Sequence, residues 1–452
     1  MRPASYAPTT GPLWRAFLAF VLPMLAQNIM QSLAMTVGSI IVGRTLGVNY
    51  LAAMATFMPV AFFFIAFLIG LTAGASVLVG QAAGAGKPEL IRKIAATTMS
   101  TTLILGLVLA GLGEYLVSWI MHVLAVPADI LEPATDYAQA TFIVIPVLFV
   151  FILAGALLRG MRDTMRPLQM QIISTVIAIA LTLLLVVGAG YGVMVVAWAQ
   201  GISQLIALVA LGWWLRRRDQ HPLAPTRAFW REMRPDPALL GQILRLGVPT
   251  GVQIVVGSAA GLVIVGLVNA FGSDATAAYG AVSQIVAYVQ FPALSIAIAA
   301  SIFGAQMIGA GRQDRLDEVV RTAQMMNLVL TGGLVVLVLV LSRVVVAAFL
   351  TDPEVIALAR RLLFIVTWSS LMFGAGTIFS GVMRSSGTVV VPMVIAIACI
   401  LLVELPVAIW LSKWVGLEGI WWGYVANFGA LMLVQGAWFM LVWRRKAIVA
   451  LV

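Results

Sequence analysis

Twelve long apolar runs follow one another along the chain, separated by glycine, proline and charged residues. A helix needs about 20 apolar residues to cross the hydrocarbon core of a bilayer, and each run is long enough. The pattern predicts an all-α, polytopic membrane protein with twelve transmembrane helices. The predicted spans are 14–42, 51–82, 94–120, 134–158, 167–188, 191–215, 242–268, 277–305, 321–348, 357–382, 390–412 and 418–442.

The composition supports the same class of protein. Of the 452 residues, 62% are hydrophobic and 10% are charged, whereas a soluble domain is about 45–50% apolar and about 25% charged. These values exclude a soluble globular, a disordered and a fibrous protein. The twelve spans take up nearly the whole chain, so no stretch is left for a separate soluble enzyme domain.

The basic residues are concentrated on one side of the predicted membrane. Counting the connections alternately from the N-terminus places 22 of the 27 Lys and Arg residues on the side of the termini. Because cytoplasmic loops carry the excess of Lys and Arg, we expect both termini in the cytoplasm and the chain in the cell (inner) membrane. The same rule explains the net charge of +10, so we expect no nucleic-acid partner.

The longest polar stretch, 216–241, is rich in proline and charge and follows span six. We therefore predict an N-terminal six-helix lobe at 1–215, a cytoplasmic linker at 216–241 and a C-terminal six-helix lobe at 242–452. His221 lies in the linker, where a solvated side chain is expected rather than a ligand. A second interpretation makes the linker a basic strip against anionic lipid headgroups, which attract such segments by about 1 kcal/mol per basic residue.

The two halves of the chain resemble each other at an offset of 225 residues, and GASVLVGQAAGAGKPELI matches AASIFGAQMIGAGRQDRL. Six spans per half is an even number, so both halves enter the membrane from the same side. The repeat predicts two pseudo-symmetric lobes related by an axis along the membrane normal, as in transporters that rock two lobes around a site. The matched pairs include Ser76/Ser301, Gln81/Gln306, Gly84/Gly309 and Gly86/Gly311, and Pro23 and Pro249 stand one residue off the offset.

The paired Gly-Ala-Gly turns follow spans two and eight. Glycine permits positive φ and close approach of the backbone, so the turns and the prolines near the start of each half are candidate hinges or inner-gate contacts. The alternative for each turn is a helix C-cap. The gate and hinge candidates are Gly84, Gly86, Gly309, Gly311, Pro23 and Pro249.

Glu404 is the clearest acidic residue inside a predicted span, with Pro406 two residues further on. A charged residue at the centre of a spanning helix costs about 2.5–3.5 kcal/mol on insertion scales and points to function. Pro406 removes a backbone hydrogen bond and can open the helix locally. Glu404 is therefore the candidate for coupling to a cation. The alternative is that Glu404 lies in the outer half of the span, where Lys413 or water pairs with its carboxyl.

Neutral polar residues also interrupt the spans. They are candidates to line a substrate cavity, and the alternative is hydrogen bonding between packed helices. Pairs four residues apart share one helix face. The cavity candidates are Gln27, Gln31, Gln171, Gln253, Gln284 and Tyr288.

The sequence resembles the multidrug and toxic compound extrusion (MATE) family. The resemblance covers 13–443 and rests on VGRTLGVNYLAAMA, the two Ser…Gln…Gly-Ala-Gly stretches, LLRGMRDTMRP with its partner VMRSSGTVVVP, and GLEGIWWG. It implies two six-helix lobes and a lateral or central cavity. It also implies export of small amphipathic, often cationic organic compounds against an inward flow of H+ or Na+.

The chain departs from the family pattern at the acidic positions. Many members carry acids in spans one, seven and ten, where this chain has Gly38, Gly257 and the region of Phe373, and one branch carries an Asp near Thr182. Glu404 is what remains. Because one carboxyl suffices for a proton whereas Na+ needs several oxygens, we favour H+ as the coupling ion.

Three other functions were weighed against multidrug efflux. A lipid-linked precursor flippase of the same superfamily needs a basic cavity, and here Lys and Arg stand at the span ends. A major-facilitator transporter would carry an Asp in the loop after span two. A membrane-embedded enzyme would need catalytic residues that this sequence does not offer, because its only histidines are His122 and His221 and it has no HExxH motif. GAGAGKP does not match the phosphate-binding loop motif either. We therefore expect no enzyme activity, no cofactor and no metal site. We also expect a monomer in the bilayer.

Overall fold

The computed structural model describes residues 11–218 and 221–452, so the first ten residues of the predicted N-terminal lobe lie outside it. All regular secondary structure in the described residues is helical. Twelve helices are long and apolar enough to cross a membrane, which confirms the predicted all-α class and the number of spans.

Spans one to six hold one helix each, except that span five ends in a π-helical segment. The segment covers Leu183–Gly188. The helices are α1 Leu13–Thr45, α2 Val48–Gly84, α3 Pro88–Val123, α4 Leu131–Gly160, α5 Met165–Thr182 and α6 Met194–Arg216. Helix α3 begins six residues before the predicted start of span three, because Pro88 occupies its first turn and the polar segment after it is already helical.

The linker between the halves contains one short helix, α7 Arg227–Arg231, and spans seven to twelve follow it. Spans nine and eleven are each broken by a π-helical segment, at Asn327–Thr331 and Ile400–Glu404. The helices are α8 Pro237–Asn269, α9 Ser273–Gly309, α10 Leu316–Met326, α11 Gly332–Val340, α12 Ser342–Ala347, α13 Pro353–Val366, α14 Ser370–Ser385, α15 Val390–Cys399, α16 Leu405–Val415 and α17 Leu417–Leu441.

The described residues form two compact units. One unit comprises the described residues up to Val21 together with Gly84–Gly86 and Pro249–Val452, and the other comprises Leu22–Ala83 and Lys87–Val248. The linker therefore belongs to the unit that holds most of the first half. The boundaries predicted from sequence, 1–215, 216–241 and 242–452, stay a prediction.

Each unit has its own apolar core. In the unit of the first half, Phe57 and Phe142 are fully buried with their ring centroids 5.2 Å apart, edge to face. In the unit of the second half, the core contains Leu362, Leu363 and Trp421. Aromatic and branched aliphatic side chains thus fix the helices around which the polar residues described below are placed.

The linker folds against α3. Glu232 and Asp236 form ion pairs with Arg92 and Lys93, at 2.7 Å and 2.6 Å. The hydrogen bond from Lys93, followed by one from the backbone N–H of Leu239, lowers the pKa of Asp236. Both described acids of the linker therefore form ion pairs with basic residues of α3.

The expectation of a solvated His221 is wrong. The ring is half-buried, its centroid lies 6.3 Å from that of Trp214, and its Nδ1 accepts a hydrogen bond from the Leu223 N–H at 3.2 Å. Burial, followed by the nearby positive charge of Arg218, lowers the pKa of His221 to about 4. The linker turns back onto the end of α6. The polar composition of the linker does not predict this contact.

Candidate functional site

Glu404 ends the π-helical segment between α15 and α16. Pro406 has no N–H to donate, and the Leu405 N–H donates to the carbonyl of Ile400 five residues back, which widens the turn. The side chain of Glu404 is 5% exposed, and among the described residues it is the one acidic side chain that is buried. The predicted local opening of the helix at Pro406 is confirmed, and it lies at the buried carboxyl.

The partner of Glu404 is Asn427 on α17. The Asn427 amide Nδ2 donates a hydrogen bond to Glu404 Oε2, and both side chains are buried. Lys413, the alternative partner considered from sequence, is exposed in the last turn of α16. A buried carboxyl thus receives a neutral donor instead of a countercharge.

Two glycines allow α16 and α17 to approach closely at this site. Gly419, Gly423 and Asn427 are spaced four residues apart, so they lie on one face of α17. A Cβ added at Gly423 would stand 2.9 Å from the Glu404 carbonyl oxygen and 2.8 Å from the Ala408 Cβ, and one at Gly419 would meet the backbone of Leu411. The absence of side chains at the two glycines therefore lets Asn427 reach the carboxyl.

A pair of tyrosines joins two helices near this site: Tyr424 lies on α17, one turn before Asn427, and Tyr279 lies on α9. The hydroxyls of Tyr424 and Tyr279 are 2.9 Å apart. The Trp421 ring centroid lies 5.2 Å from that of Tyr279 and 5.5 Å from that of Tyr424. The Trp421 Nε1 is buried and has no hydrogen-bond partner among the described residues. The surroundings of Glu404 are thus aromatic and weakly polar.

Two positions at which the resemblance implies acids border this site. A Cβ at Gly257 would stand 3.9 Å from Ile400 Cδ1, at the start of the π-helical segment. Phe373 packs against Phe428, the residue after Asn427, with ring centroids 5.1 Å apart. Gly257 thus lies beside the π-helical segment that ends at Glu404, and Phe373 packs against the helix that carries Asn427.

Three of the predicted cavity residues lie in the unit that contains most of the first half. Gln171 is buried and donates to Thr175 Oγ1 at 3.2 Å, one turn further along the same helix, so this bond does not join two packed helices. Gln27 is half-buried and accepts a long hydrogen bond from Arg159 Nη1 at 3.5 Å. Gln31 is exposed.

The other three cavity candidates lie in the unit of the second half. Gln253 and Tyr288 are half-buried, and Gln284 is exposed. The Tyr288 ring centroid lies 5.7 Å from that of Phe291. Their role as cavity residues stays a prediction.

The sequence did not single out Asn427, Tyr424 or Tyr279. All three are polar residues inside spans, and Tyr424 and Asn427 are three residues apart on α17, but no short spacing links any of the three to Glu404. The pairing of α16 with α17 brings Asn427 to Glu404 from 23 residues away. The one signal available was the repeat of Gly419, Gly423 and Asn427 on one helix face.

The predicted gate turns are helix C-caps. Gly86 and Gly311 have φ of 66° and 70°. After each, the chain closes a six-residue turn: the Lys87 N–H donates to the Ala82 carbonyl at 3.0 Å, and the Arg312 N–H to the Met307 carbonyl at 2.8 Å. This is the Schellman motif, in which glycine supplies the left-handed residue.

The other gate and hinge candidates lie within helices or at their ends. Gly84 and Gly309 are the last residues of α2 and α9. Pro23 and Pro249 lie inside α1 and α8, where each removes one backbone hydrogen bond. A role in gating stays a prediction for all of these residues.

Gly86→Ala and Gly311→Ala are each expected to lower the free energy of unfolding by about 1–2 kcal/mol, because a Cβ opposes the left-handed conformation. Gly333→Ala is the matched control, since Gly333 is helical and has open space at its Cβ position. Unfolding in detergent measures the cost, and transport per folded molecule separates a cap from a hinge. A purely structural cap leaves that rate unchanged, whereas a hinge slows it.

The helix number and the repeated half define a polytopic helical membrane protein built from two related groups of six spans. The sequence model of the MatE family matches residues 23–184 and 249–410, once in each half, and the chain belongs to this MATE family of multidrug transporters. It is accordingly not an enzyme.

Relatives and solved structures agree with this assignment. The chain is 40% identical over 446 residues to the Bacillus subtilis (strain 168) protein named Probable multidrug resistance protein YoeA, covering 97% of this chain and 96% of that protein. It is 24% identical to the FAD transporter of Shewanella oneidensis, over 91% of both chains. A structure titled as the outward-facing conformation of a multidrug resistance MATE family transporter superimposes with a TM-score of 0.88 at 20% identity, covering 95% and 96% of the two chains.

Proposed function

We propose that this protein exports small amphipathic, often cationic organic compounds in exchange for H+ by alternating access, and that Glu404 carries the coupling proton. The observation that carries the proposal is the one buried carboxyl of the described residues, which lies at a π-helical break and accepts a hydrogen bond from Asn427. The protein works as a monomer in the cell (inner) membrane, with both termini in the cytoplasm. The uneven distribution of Lys and Arg supports that orientation.

The chemistry of the site favours H+ over Na+. Sodium is a hard cation and needs several oxygen ligands, whereas the neighbour of Glu404 presents an amide N–H to it. A carboxyl that alternates between its neutral and its ionised form needs only one hydrogen-bond donor that can stay beside both forms. Asn427 meets that need because its amide does not titrate.

The driving force is sufficient for drug export. Moving one elementary charge through about 100 mV provides about 2.3 kcal/mol. At one proton per molecule this sustains roughly a fifty-fold gradient of a neutral substrate. One-for-one exchange of H+ for a monovalent cation moves no net charge, so it is driven by the pH difference, about 1.4 kcal/mol per pH unit. A twelve-span chain without an ATP-binding loop therefore needs no other energy source for this task.

The substrate class is supported by the relatives. The name of the B. subtilis relative refers to multidrug resistance, and the name of the S. oneidensis relative refers to FAD, an anionic compound. The exposed amides of Gln31 and Gln284 and the half-buried Gln253 carry no charge. We therefore propose organic cations as substrates and treat an anionic flavin nucleotide as the competing case.

Transport by purified protein in liposomes tests the proposal. Uptake of a fluorescent organic cation is followed under an imposed pH gradient, under an imposed Na+ gradient and without a gradient, and FAD is assayed in parallel. We expect cation movement in the pH arm alone. Movement driven by Na+ alone would overturn H+ coupling, movement of FAD alone would overturn the substrate class, and no gradient-dependent movement of any dye in a broad panel would overturn the function.

A further inference from the structure

Two guanidinium groups share one indole ring where span five begins and span six ends. The Cζ atom of Arg166 lies 3.7 Å from the ring centroid of Trp214, and that of Arg218 lies 4.8 Å from the same centroid. Each contact falls within the range of a cation–π interaction. Two positive charges thus lie within 4.8 Å of the centroid of one ring.

The acids near this cluster have other partners. Asp163 accepts the backbone N–H of Arg166 at 3.1 Å, and the linker acids Glu232 and Asp236 pair with α3. In the described residues no carboxylate forms an ion pair with Arg166 or Arg218. Asp219, the neighbour of Arg218 in sequence, lies outside the described residues.

The cluster faces a boundary between apolar and polar surroundings. Trp213 is 57% exposed and Met165 is 50% exposed, at the ends of the same two spans. Arg217 stacks on Trp213, with its Cζ 3.7 Å from the ring centroid. Tryptophan and arginine at span ends are typical of the headgroup region of a bilayer. The ligand that suits the two guanidiniums is therefore anionic and lies in the headgroup layer.

We propose that Arg166, Trp214 and Arg218 form a binding site for the phosphate of an anionic lipid of the cytoplasmic leaflet. A guanidinium offers several N–H donors in a plane that matches phosphate oxygens. The indole orients both guanidiniums, and the phosphate offsets their positive charge. The exposed Trp213 and Met165 contact the acyl-chain side of the same molecule. This site is independent of Glu404 and of the direction of transport.

His221 provides a local reporter of occupancy. Its ring lies beside Trp214, the indole on which Arg166 and Arg218 stack, and Arg218 is the charged group that acts on it. A bound phosphate offsets the charge of Arg218, which is the second cause of the lowered pKa of His221. The burial of the ring and the hydrogen bond from the Leu223 N–H to Nδ1 are unchanged when the phosphate is bound. Binding should therefore raise this pKa partway toward its ordinary value.

Lipid retention tests the site. The purified full chain is exchanged into detergent with phosphatidylglycerol and, separately, with phosphatidylcholine, and bound lipids are counted by native mass spectrometry. We expect the double variant Arg166→Gln/Arg218→Gln to bind phosphatidylglycerol at least about thirty-fold more weakly, because charge-assisted hydrogen bonds from two guanidiniums to the phosphate are lost. The matched control, Arg227→Gln/Arg231→Gln, removes the same charge from exposed positions of the linker and, in detergent without a charged bilayer surface, is expected to change binding less than about two-fold.

Further arms separate the alternatives. Equal losses in the two double variants would overturn the site in favour of unspecific attraction, and unchanged binding in both would overturn it outright. Inorganic phosphate that competes at millimolar concentration would replace the lipid by a free anion as ligand. If the double variant fails to fold, Trp214→Leu removes the shared ring and is expected to weaken binding, and normal binding by Trp214→Leu would overturn the role of the ring.

The titration of His221 completes the test. In a His122→Asn background His221 is the only histidine, and its imidazole signals are followed by NMR in nanodiscs. Phosphatidylglycerol should raise its pKa more than in the Arg166→Gln/Arg218→Gln variant, in which only the general surface potential acts. Equal shifts in the two proteins would contradict a bound phosphate at this position.

Discussion

Glu404→Gln is expected to reduce transport driven by a pH gradient to the level of empty liposomes, while the protein still inserts and folds. Glutamine keeps the volume and still offers a carbonyl oxygen to the Asn427 amide, so the packing of α16 against α17 survives. It does not titrate, so it cannot take up a proton on one side of the membrane and release it on the other. The measurement is uptake of a fluorescent organic cation in liposomes with a stepped pH gradient.

Glu114→Gln is the matched control for this prediction. Glu114 is an acid within α3, but its side chain is exposed, so its removal should leave coupled transport near that of the unchanged protein. Binding of the dye without a gradient should persist in Glu404→Gln, which separates loss of coupling from loss of the substrate site. Coupled transport at the normal rate by Glu404→Gln would remove Glu404 from the mechanism.

The positions of the spans can be predicted from sequence because the hydrophobicity of each helix depends on its own residues alone. The carboxyl at Glu404 and the helix break at Pro406 are visible for the same reason, since both depend on one segment. The hydrogen bond to Asn427 is not visible, because it depends on which helix packs beside span eleven. The nearest charge in sequence, Lys413, suggested a partner, but it is exposed at the end of α16.

The linker shows a different limit of sequence reasoning. Its prolines and charges interrupt the series of spans between α6 and α8, with six spans on either side. Its acids, however, pair with Arg92 and Lys93 of a distant helix, and His221 is half-buried beside Trp214. Polar composition predicts exposure only when the charged side chains have no partner elsewhere in the fold.

The turns after spans two and eight show that a repeated motif need not be a functional one. The repeat made Gly86 and Gly311 conspicuous, and both have the positive φ that glycine allows. A C-cap already requires that conformation, so recurrence of the turn in both halves follows from the geometry of ending a helix. A gating role needs the separate kinetic evidence described for the alanine variants.

Gly423→Ala is expected to have the second large effect, because it separates the two helices that hold the site together. A Cβ at this position would stand 2.8 Å from the Ala408 Cβ and 2.9 Å from the Glu404 carbonyl oxygen. Neither neighbour is the end of a flexible side chain, so α17 must move away from α16. The hydrogen bond from Asn427, one turn further along, is then stretched, and overpacking of this kind costs about 1–3 kcal/mol.

Gly429→Ala on the same helix isolates that cost. Its Cβ would have only an ordinary contact, 3.7 Å from Met372 Sδ, and it gains the same helix propensity as Gly423→Ala, about 1 kcal/mol. The difference in free energy of unfolding between the two variants in detergent therefore measures the steric term alone. Because the same displacement weakens the hold on Glu404, we expect coupled transport per folded molecule to fall in Gly423→Ala and not in Gly429→Ala. Equal stability of the two variants would mean that α16 and α17 tolerate wider spacing, and the contact between Asn427 and Glu404 would then not depend on the glycine face of α17.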